Sequence, residues 1–357
     1  MRRFPASALT AFGESVLGAL GSRTDEAHAV ARHLVDANRA GHDSHGIALL
    51  PTYARHVRAG AAKPNAAVRV TRQAGAILQI DGDRGFGAVV GARAVTQAGA
   101  IAREGGVCAL TIAGSHHLGR IGAFGEMAAD DGLAFIAFVN VVDHGGLVAP
   151  HRGTDARFGT NPICIALPAG DAHPAFLLDY ATSRLALGKV REAAAKGEPV
   201  PFGSVLDARG APSDDPTGMG SHDYAAHVGA LAFFGEHKGY ALGFAAELLA
   251  GLLSGYGTLQ PGAPRLGGII NTMFAIVVDP ARFADPAWIR REQDAMMAYA
   301  LASPPANPDA PVLAPGDFER AARADRDAHG APLSDGVIGH LRSLGGELGV
   351  STALFDG

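Results

Sequence analysis

Within TDEAHAVARHLVDANRA (24–40), Val30, Leu34, Val35 and Ala37 recur at the spacing of one helical face. Thr24 stands where an N-cap belongs, Asp25 and Glu26 set negative charge against the positive end of the helix dipole, and Gly41 closes the segment. ASALTAFGESVLGALG before it has the pattern of an amphipathic first helix, and ALLPTYARHVRAG after it that of another, with Pro51 near its start. AAVRVTRQAGAILQIDGD alternates like a hairpin before a turn at Gly82-Asp83. The first part of the chain is therefore predicted to be mostly helical.

From Ala76 onward strands alternate with helices. AILQID precedes a helix from about Ala88 to Glu104 and the strand GVCALTIAG; the helix GAFGEMAADDG and the strand LAFIAFVNVV follow, and ICIALP and AFLLDYAT flank a turn at Gly170-Asp171. A helix is predicted from Thr182 to about Lys196, then a Pro- and Gly-rich stretch from Gly197 to Ser221 with a hairpin turn at Arg209-Gly210. KGYALGFAAELLAGLLSG is apolar on nearly all sides, which predicts a helix buried in mid-domain, with Glu247 inside it in need of a partner. MFAIVVD predicts a strand, Pro286 to Leu301 a helix with the only Trp, SPPANPDAPVLAPGDFE a connector, and two helices lie around Ala321 and Ile338. No internal repeat is visible.

With 357 residues and 48% hydrophobic content the chain builds a real core, which excludes overall disorder. Its 48 glycines follow no three-residue period, which excludes collagen. A formal charge of -5 without a basic block gives no sign of a nucleic-acid or membrane partner, so small soluble ligands are expected. Cys108 and Cys164 lie in apolar strands and are expected as buried thiols. Glu14 interrupts the apolar N-terminal run and no small-x-small cleavage site follows, so a helix is expected there and not a signal peptide; with no span of about 20 apolar residues, the expected location is the cytoplasm.

Gly85, Gly87 and Gly91 superficially copy a dinucleotide fingerprint, but the spacing is wrong by one and the next strand ends in Ser115-His116-His117 where an acidic residue is required. A turn and close helix packing explain these glycines better. His42-Asp43-Ser44-His45-Gly46 ends the second helix and offers an imidazole beside a hydroxyl and a carboxylate, suited to acid-base work near neutral pH or, more plainly, to a solvated helix end. Ser115-His116-His117-Leu118-Gly119-Arg120 follows a strand, where open sheets place ligands, and could hold a carboxylate or phosphate or form a polar loop. Arg157 to Pro162, Leu177 to Ser183 and Glu236 to Tyr240 each join a polar cluster to an apolar run; Lys238 or His237 could put positive charge on a cofactor phosphate or simply open a helix. Zinc ligation by His42, Asp43, His45, His116 and His117 matches no common spacing, so no metal is expected.

In order along the chain stand GHDSHGI (41–47), SHHLGRIG (115–122), VAPHRGTDARFGTNP (148–162), LLDYATS (177–183), GKVR (188–191), EHKGYAL (236–242), IIN (269–271) and LAPGDFE (313–319). Together they resemble the malate/L-lactate dehydrogenase type 2 family of NAD(P)-dependent oxidoreductases, which also includes sulfolactate and ureidoglycolate enzymes and cyclic imino acid reductases. The resemblance implies a mixed α/β, non-Rossmann fold: a mixed, largely antiparallel sheet with flanking helices in a cofactor-binding domain (76–285), and a helical substrate and dimerisation domain from both chain ends (1–75 with 286–357). It implies a homodimer and NAD as cofactor, NADP being possible. It implies His45 as the acid-base group, oriented by Ser44, and His117 as a second catalytic position. The cofactor would lie against Gly119, Arg120 and Ile121, against Leu177, Leu178, Asp179, Tyr180 and Ala181, and against His237, Lys238, Asn271, Gly316, Asp317, Phe318 and Glu319.

Many members of that family carry an arginine where this chain has Leu49, four residues after His45, to grip the substrate carboxylate. Without it Arg120 or Arg157, with His116, are the expected substrate contacts, and apolar Leu49 favours a bulky or aromatic 2-oxo acid such as phenylpyruvate or hydroxyphenylpyruvate over malate, lactate, sulfolactate or ureidoglycolate. Lys189 stands where the imino acid reductases have an aspartate, which argues against their chemistry. The competing classes are a metal-dependent hydrolase or lyase built on the histidines and a non-catalytic scaffold.

Overall fold

The computed structural model describes residues 1–221, 226–262 and 267–356. The chain runs β1 (Arg2–Phe4), α1 (Ala6–Ala19), α2 (Thr24–Arg39), two 3-10 turns over Asp43–His45 and Ile47–Leu49, α3 (Leu50–Arg58), β2 (Arg69–Ala74), β3 (Ile77–Asp81), α4 (Gly87–Gly105), β4 (Val107–His116), α5 (Gly122–Asp130) and β5 (Ala134–Val141). It continues through β6 (Ile163–Leu167), β7 (Phe176–Tyr180), α6 (Leu187–Lys196), β8 (Val205–Leu206), β9 (Pro212–Ser213), β10 (Ala230–Leu231), α7 (His237–Leu253), β11 (Ile270–Val278), α8 (Pro286–Leu301), α9 (Asp317–His329), β12 (Ala331–Leu333) and α10 (Asp335–Leu348).

The central sheet has the order β2-β3-β4-β11-β5-β6-β7. Its one parallel pair among the described residues is β3 with β4, joined by the crossover helix α4; every other neighbour is antiparallel. The fold is thus mixed α/β and mostly antiparallel. Leu110, Ile112, Phe135, Val139 and the two buried cysteines pack against α4 and α5 to make its core. Gly91 lets α4 approach the ring of Phe124, and Gly87 lets it approach the backbone of His117 and Leu118, so these glycines serve packing.

A second core joins the chain ends. Phe4, Leu9, Val16, Leu34, Ile47 and Tyr53 pack with Leu333, Leu341 and Phe355, and β1 pairs antiparallel with β12. A third, smaller core around Val148, Phe158, Val190 and Phe233 supports α6 and the small sheet β10-β8-β9.

Several details differ from the sequence-based expectation. β1 is a strand. α6 starts at Leu187, because Ser183 is held extended in a bridge to Phe233. The hairpin β2–β3 joins the sheet from Arg69, and α8 docks on the β6–β7 turn, where Asp294 accepts the N–H groups of Asp171, Ala172 and His173 at 2.8, 2.9 and 3.0 Å. The largest difference concerns α7. Gly239, Gly243, Ala246, Glu247 and Ala250 are buried, but Leu242, Phe244, Leu248, Leu252 and Leu253 are exposed in the single chain. Small residues let the helix lie close on the sheet and turn the large ones outward. Glu247 finds its partners in Asn140 Nδ2 at 3.0 Å, Asn161 Nδ2 at 2.8 Å and the Leu259 N–H at 2.7 Å. No helix among the described residues is long and apolar enough to cross a membrane.

Candidate active site

The loop after α2 is shaped by Asn38, which is fully buried beneath it. Asn38 Nδ2 donates to Asp43 Oδ1 at 2.6 Å, its Oδ1 accepts the Ile47 N–H at 2.8 Å, and Gly46 passes so close above that a Cβ there would overlap the amide. On this support Ser44 Oγ lies 3.0 Å from His45 Nδ1, with both side chains half-buried. α6 closes one side, where a Cβ on Gly188 would stand 2.5 Å from Ser44 Cβ. α9 holds the loop from behind: Arg326 grips Asp43, and Glu319 Oε1 lies 3.0 Å from His42 Nε2. Burial, helped by charge on His42, His33 and Arg120, pushes His45 from 6.5 to about 4, so its imidazole is neutral at pH 7.

β4 delivers the second imidazole. The His117 ring stacks on His45 with centroids 5.5 Å apart and planes 20° apart. Tyr53 Oη, from α3, lies 2.9 Å from His117 Nδ1. Neither ring has an Nε2 partner among the described residues, so each keeps one nitrogen for a ligand. Burial holds His117 well below 6.5. His116 points the other way. It is fully buried, with its Nε2 2.9 Å from His56 Nδ1, and so supports the site from inside and does not face substrate as expected.

Arg120 is likewise corrected. It is 2% exposed, ion-paired with Asp36 and Glu126, and Arg323 of α9 pairs with the same two acids. Asp36 and Glu126 engage its guanidinium inside the fold, so Arg120 is not an exposed cation, although its charge still reaches His45. Gly119 packs on the half-buried His33 and Ile121 lies in the sheet core. Asn271 is buried too: its Oδ1 accepts the Leu118 N–H at 2.8 Å and its Nδ2 donates to Asn140 O at 2.8 Å. These residues fix where His117 stands.

The other expected cofactor residues gather around β7, an edge strand of the sheet. Leu177 is in the core, whereas Leu178, Asp179, Tyr180 and Ala181 are half-buried. Asp179 Oδ2 accepts the Gly122 N–H at 2.7 Å, and burial raises its pKa. The Gly316 turn leans on the same strand, Pro315 O accepting the Leu177 N–H at 3.5 Å; Asp317 is tied to Arg320 at 2.7 Å, Phe318 is exposed and Glu319 turns to His42. At the far end of β7 the Tyr180 ring meets Phe234 at 5.4 Å, which brings up the start of α7 with exposed His237 and Lys238. Arg157 is exposed and paired with exposed Asp155 at 2.5 Å. Leu49 packs half-buried against the helical core. No group of three or more His, Cys, Asp or Glu among the described residues could hold a metal ion.

Asn38, Tyr53, Asp36, Glu126, Arg323 and Arg326 shape the site without a motif to announce them. Their partners are mostly distant in the chain, and only the acid and base content of α2 and α9 hints at pairing.

A neutral imidazole backed by a hydroxyl, stacked on a second imidazole just beyond the end of the central strand β4, is equipment for moving a proton at an oxygen of a small ligand. Residues 4–342 match the malate/L-lactate dehydrogenase family. The chain is 42% identical over 309 residues to an L-lactate dehydrogenase of Cupriavidus necator, covering 87% of each chain. It is 40% identical over 336 residues to hydroxycarboxylate dehydrogenase B of Escherichia coli, covering 94% of this chain and 91% of that one. A solved structure described as a malate/lactate dehydrogenase from E. coli superposes with a TM-score of 0.91 at 38% identity, covering 99% of this chain and 98% of that one. The protein belongs to the malate/L-lactate dehydrogenase family of 2-hydroxyacid dehydrogenases.

Proposed function

We propose that this chain reduces a bulky or aromatic 2-oxo acid, such as phenylpyruvate or hydroxyphenylpyruvate, to the 2-hydroxycarboxylate, reversibly and with NADH or NADPH. The observation that carries this reading is the Ser44–His45 pair, a polarised imidazole with a free Nε2, stacked on His117. Leu49 supports the bulky substrate, since no arginine stands at that position.

The residues around β7 fit a nicotinamide dinucleotide. Leu177 sends its N–H to Pro315 and Thr182 sends its own to Thr160, so the period of two along the strand turns the backbone N–H and C=O of Asp179 to the open edge, where an amide group can pair. His237 and Lys238, exposed and in no ion pair among the described residues, suit phosphates, and with no basic cluster for an additional phosphate NAD is preferred. Bound there, the nicotinamide supplies or takes the hydride at the substrate's second carbon. In reduction the protonated His45 ring, having taken a proton from solvent, gives its Nε2 proton to the carbonyl oxygen and is left neutral; in oxidation the neutral ring removes the hydroxyl proton at Nε2. Ser44 Oγ accepts from Nδ1 in both directions. With Arg120 sealed, Arg157 is the remaining arginine candidate for the substrate carboxylate.

The helical unit from the chain ends would thus carry the acid-base loop, and the sheet unit the cofactor edge. The exposed apolar face of α7 supports a homodimer, and two buried free thiols suit the cytoplasm. A panel of 2-oxo acids assayed with NADH and NADPH tests the reading. Phenylpyruvate as a leading substrate is the expected result, and malate or ureidoglycolate much the best would overturn it.

A further inference from the structure

Tyr53 is 2% exposed, and its hydroxyl has one hydrogen-bond partner among the described residues, His117 Nδ1 at 2.9 Å. Apolar side chains and rings surround it: it lies in the helical core, Phe86 stacks at 5.7 Å, and His116 meets it edge-on at 4.8 Å without a hydrogen bond to the hydroxyl. A hydroxyl has a single hydrogen and two lone pairs, and in a buried place an orphaned hydrogen is the costly loss. If His117 carried its proton on Nδ1, that N–H would donate to Tyr53 Oη and the hydroxyl hydrogen would have no acceptor among the described residues, which burial makes unfavourable. With the proton on Nε2, Tyr53 donates to Nδ1 and both groups are satisfied.

His45 is placed differently. Its Nδ1 faces Ser44 Oγ, a half-buried hydroxyl that can rotate, accept or donate, and so can serve the neutral and the charged imidazole alike. Burial keeps the Tyr53 hydroxyl protonated and the His117 ring uncharged, in line with the geometry.

We propose that Tyr53 is a positioning residue that locks His117 in the Nε2–H tautomer, making His117 a standing hydrogen-bond donor to a substrate oxygen and leaving proton transfer to His45 alone. The catalytic consequence rests on the 2-oxo acid reading; the tautomer does not.

The test is nitrogen-15 spectroscopy of the histidine side chains in the full-length protein, with His117→Gln to assign the signals, beside steady-state kinetics. Wild type should show His117 with Nε2 protonated and Nδ1 bare between about pH 6 and 8. Tyr53→Phe should mix the two tautomers and lower kcat for the 2-oxo acid about tenfold, with KM for NADH unchanged. A wild-type ring protonated on Nδ1, or a Tyr53→Phe spectrum identical to wild type, would overturn the proposal. Should Tyr53→Phe not fold, the wild-type spectrum decides alone. Failure of every 2-oxo acid with a correct wild-type tautomer would instead remove the substrate reading.

Discussion

Arg326 holds the carboxylate of Asp43 with two parallel hydrogen bonds, 2.6 Å from Nη1 to Oδ1 and 2.9 Å from Nη2 to Oδ2, and also donates to the carbonyl of Asn38. A helix near the end of the chain therefore fixes the loop that carries His45. Because the fork engages both oxygens, it sets direction as well as distance. Arg326→Ala should lower kcat about tenfold or more while KM for NADH stays near wild type, with Arg326→Lys in between. Steady-state kinetics check this, and an unaltered kcat in Arg326→Ala would show that Asn38 suffices.

Gly188 faces Ser44 across the site with room for hydrogen only. Gly188→Ala should displace Ser44 and slow turnover about tenfold. Alanine is worth up to about 1 kcal/mol over glycine in a helix, so α6 itself should not suffer. Melting temperature measured with kcat separates the two effects; a variant that melts early and turns over normally would contradict the placement.

The low pKa of His45 makes the two directions of catalysis respond differently to pH. In the free enzyme the imidazole is protonated only below about 4, so the oxidation, which needs the neutral base, should have a kcat/KM flat from about pH 5 to 8. Reduction needs the protonated form, and its kcat/KM should fall about tenfold per pH unit over the same range. His45→Ala should cut turnover by about two to four orders of magnitude and abolish that slope. Rate profiles in both directions, with inert buffers, provide the check.

His33, His45 and His56 are each lowered to about 4, His116 to about 3, and His117 well below its ordinary value, all first of all by burial. An unfolded chain protonates its histidines near 6.5, so between about pH 6.5 and 4 it binds more protons than the folded one, and stability rises with pH across that window. Thermal melts should therefore drop steeply as pH falls from about 6.5 to 4 and level off above it. A melting temperature constant from pH 7 to 4.5 would show that these rings are solvated.

Leu49 sits four residues beyond His45 on a 3-10 turn. Leu49→Arg should raise kcat/KM for malate relative to phenylpyruvate by at least about tenfold, since a guanidinium grips a second carboxylate and crowds an aromatic ring. An unchanged ratio would move the determinant elsewhere.

Much of this architecture was legible in the residues. The hairpin before β4, the strands on either side of Gly170-Asp171, α8 and the loop holding His45 follow from local periodicity and turn chemistry. What failed was non-local. β1 is three residues long and exists because Arg2 to Phe4 meet Ala331 to Leu333, far away in sequence. Arg120 had the look of an anion grip until Asp36 and Glu126 were found against it, one from another helix altogether. α7 is apolar all round, and only the sheet shows that its glycines and alanines face inward. Tyr53 lies in an ordinary amphipathic helix, and nothing local marks it as the partner of His117.

The pairing of β1 with β12 and the grip of α9 on Asp43 put the loop of Ser44 and His45 last in the order of assembly. A chain emerging from the ribosome can complete the hydrophobic centre of its sheet once β11 is made, but the surroundings of His45 wait for residues beyond 316. On the proposed roles the nascent protein would be chemically silent until it is nearly whole, since the Gly316 turn that leans on β7 is made as late as α9.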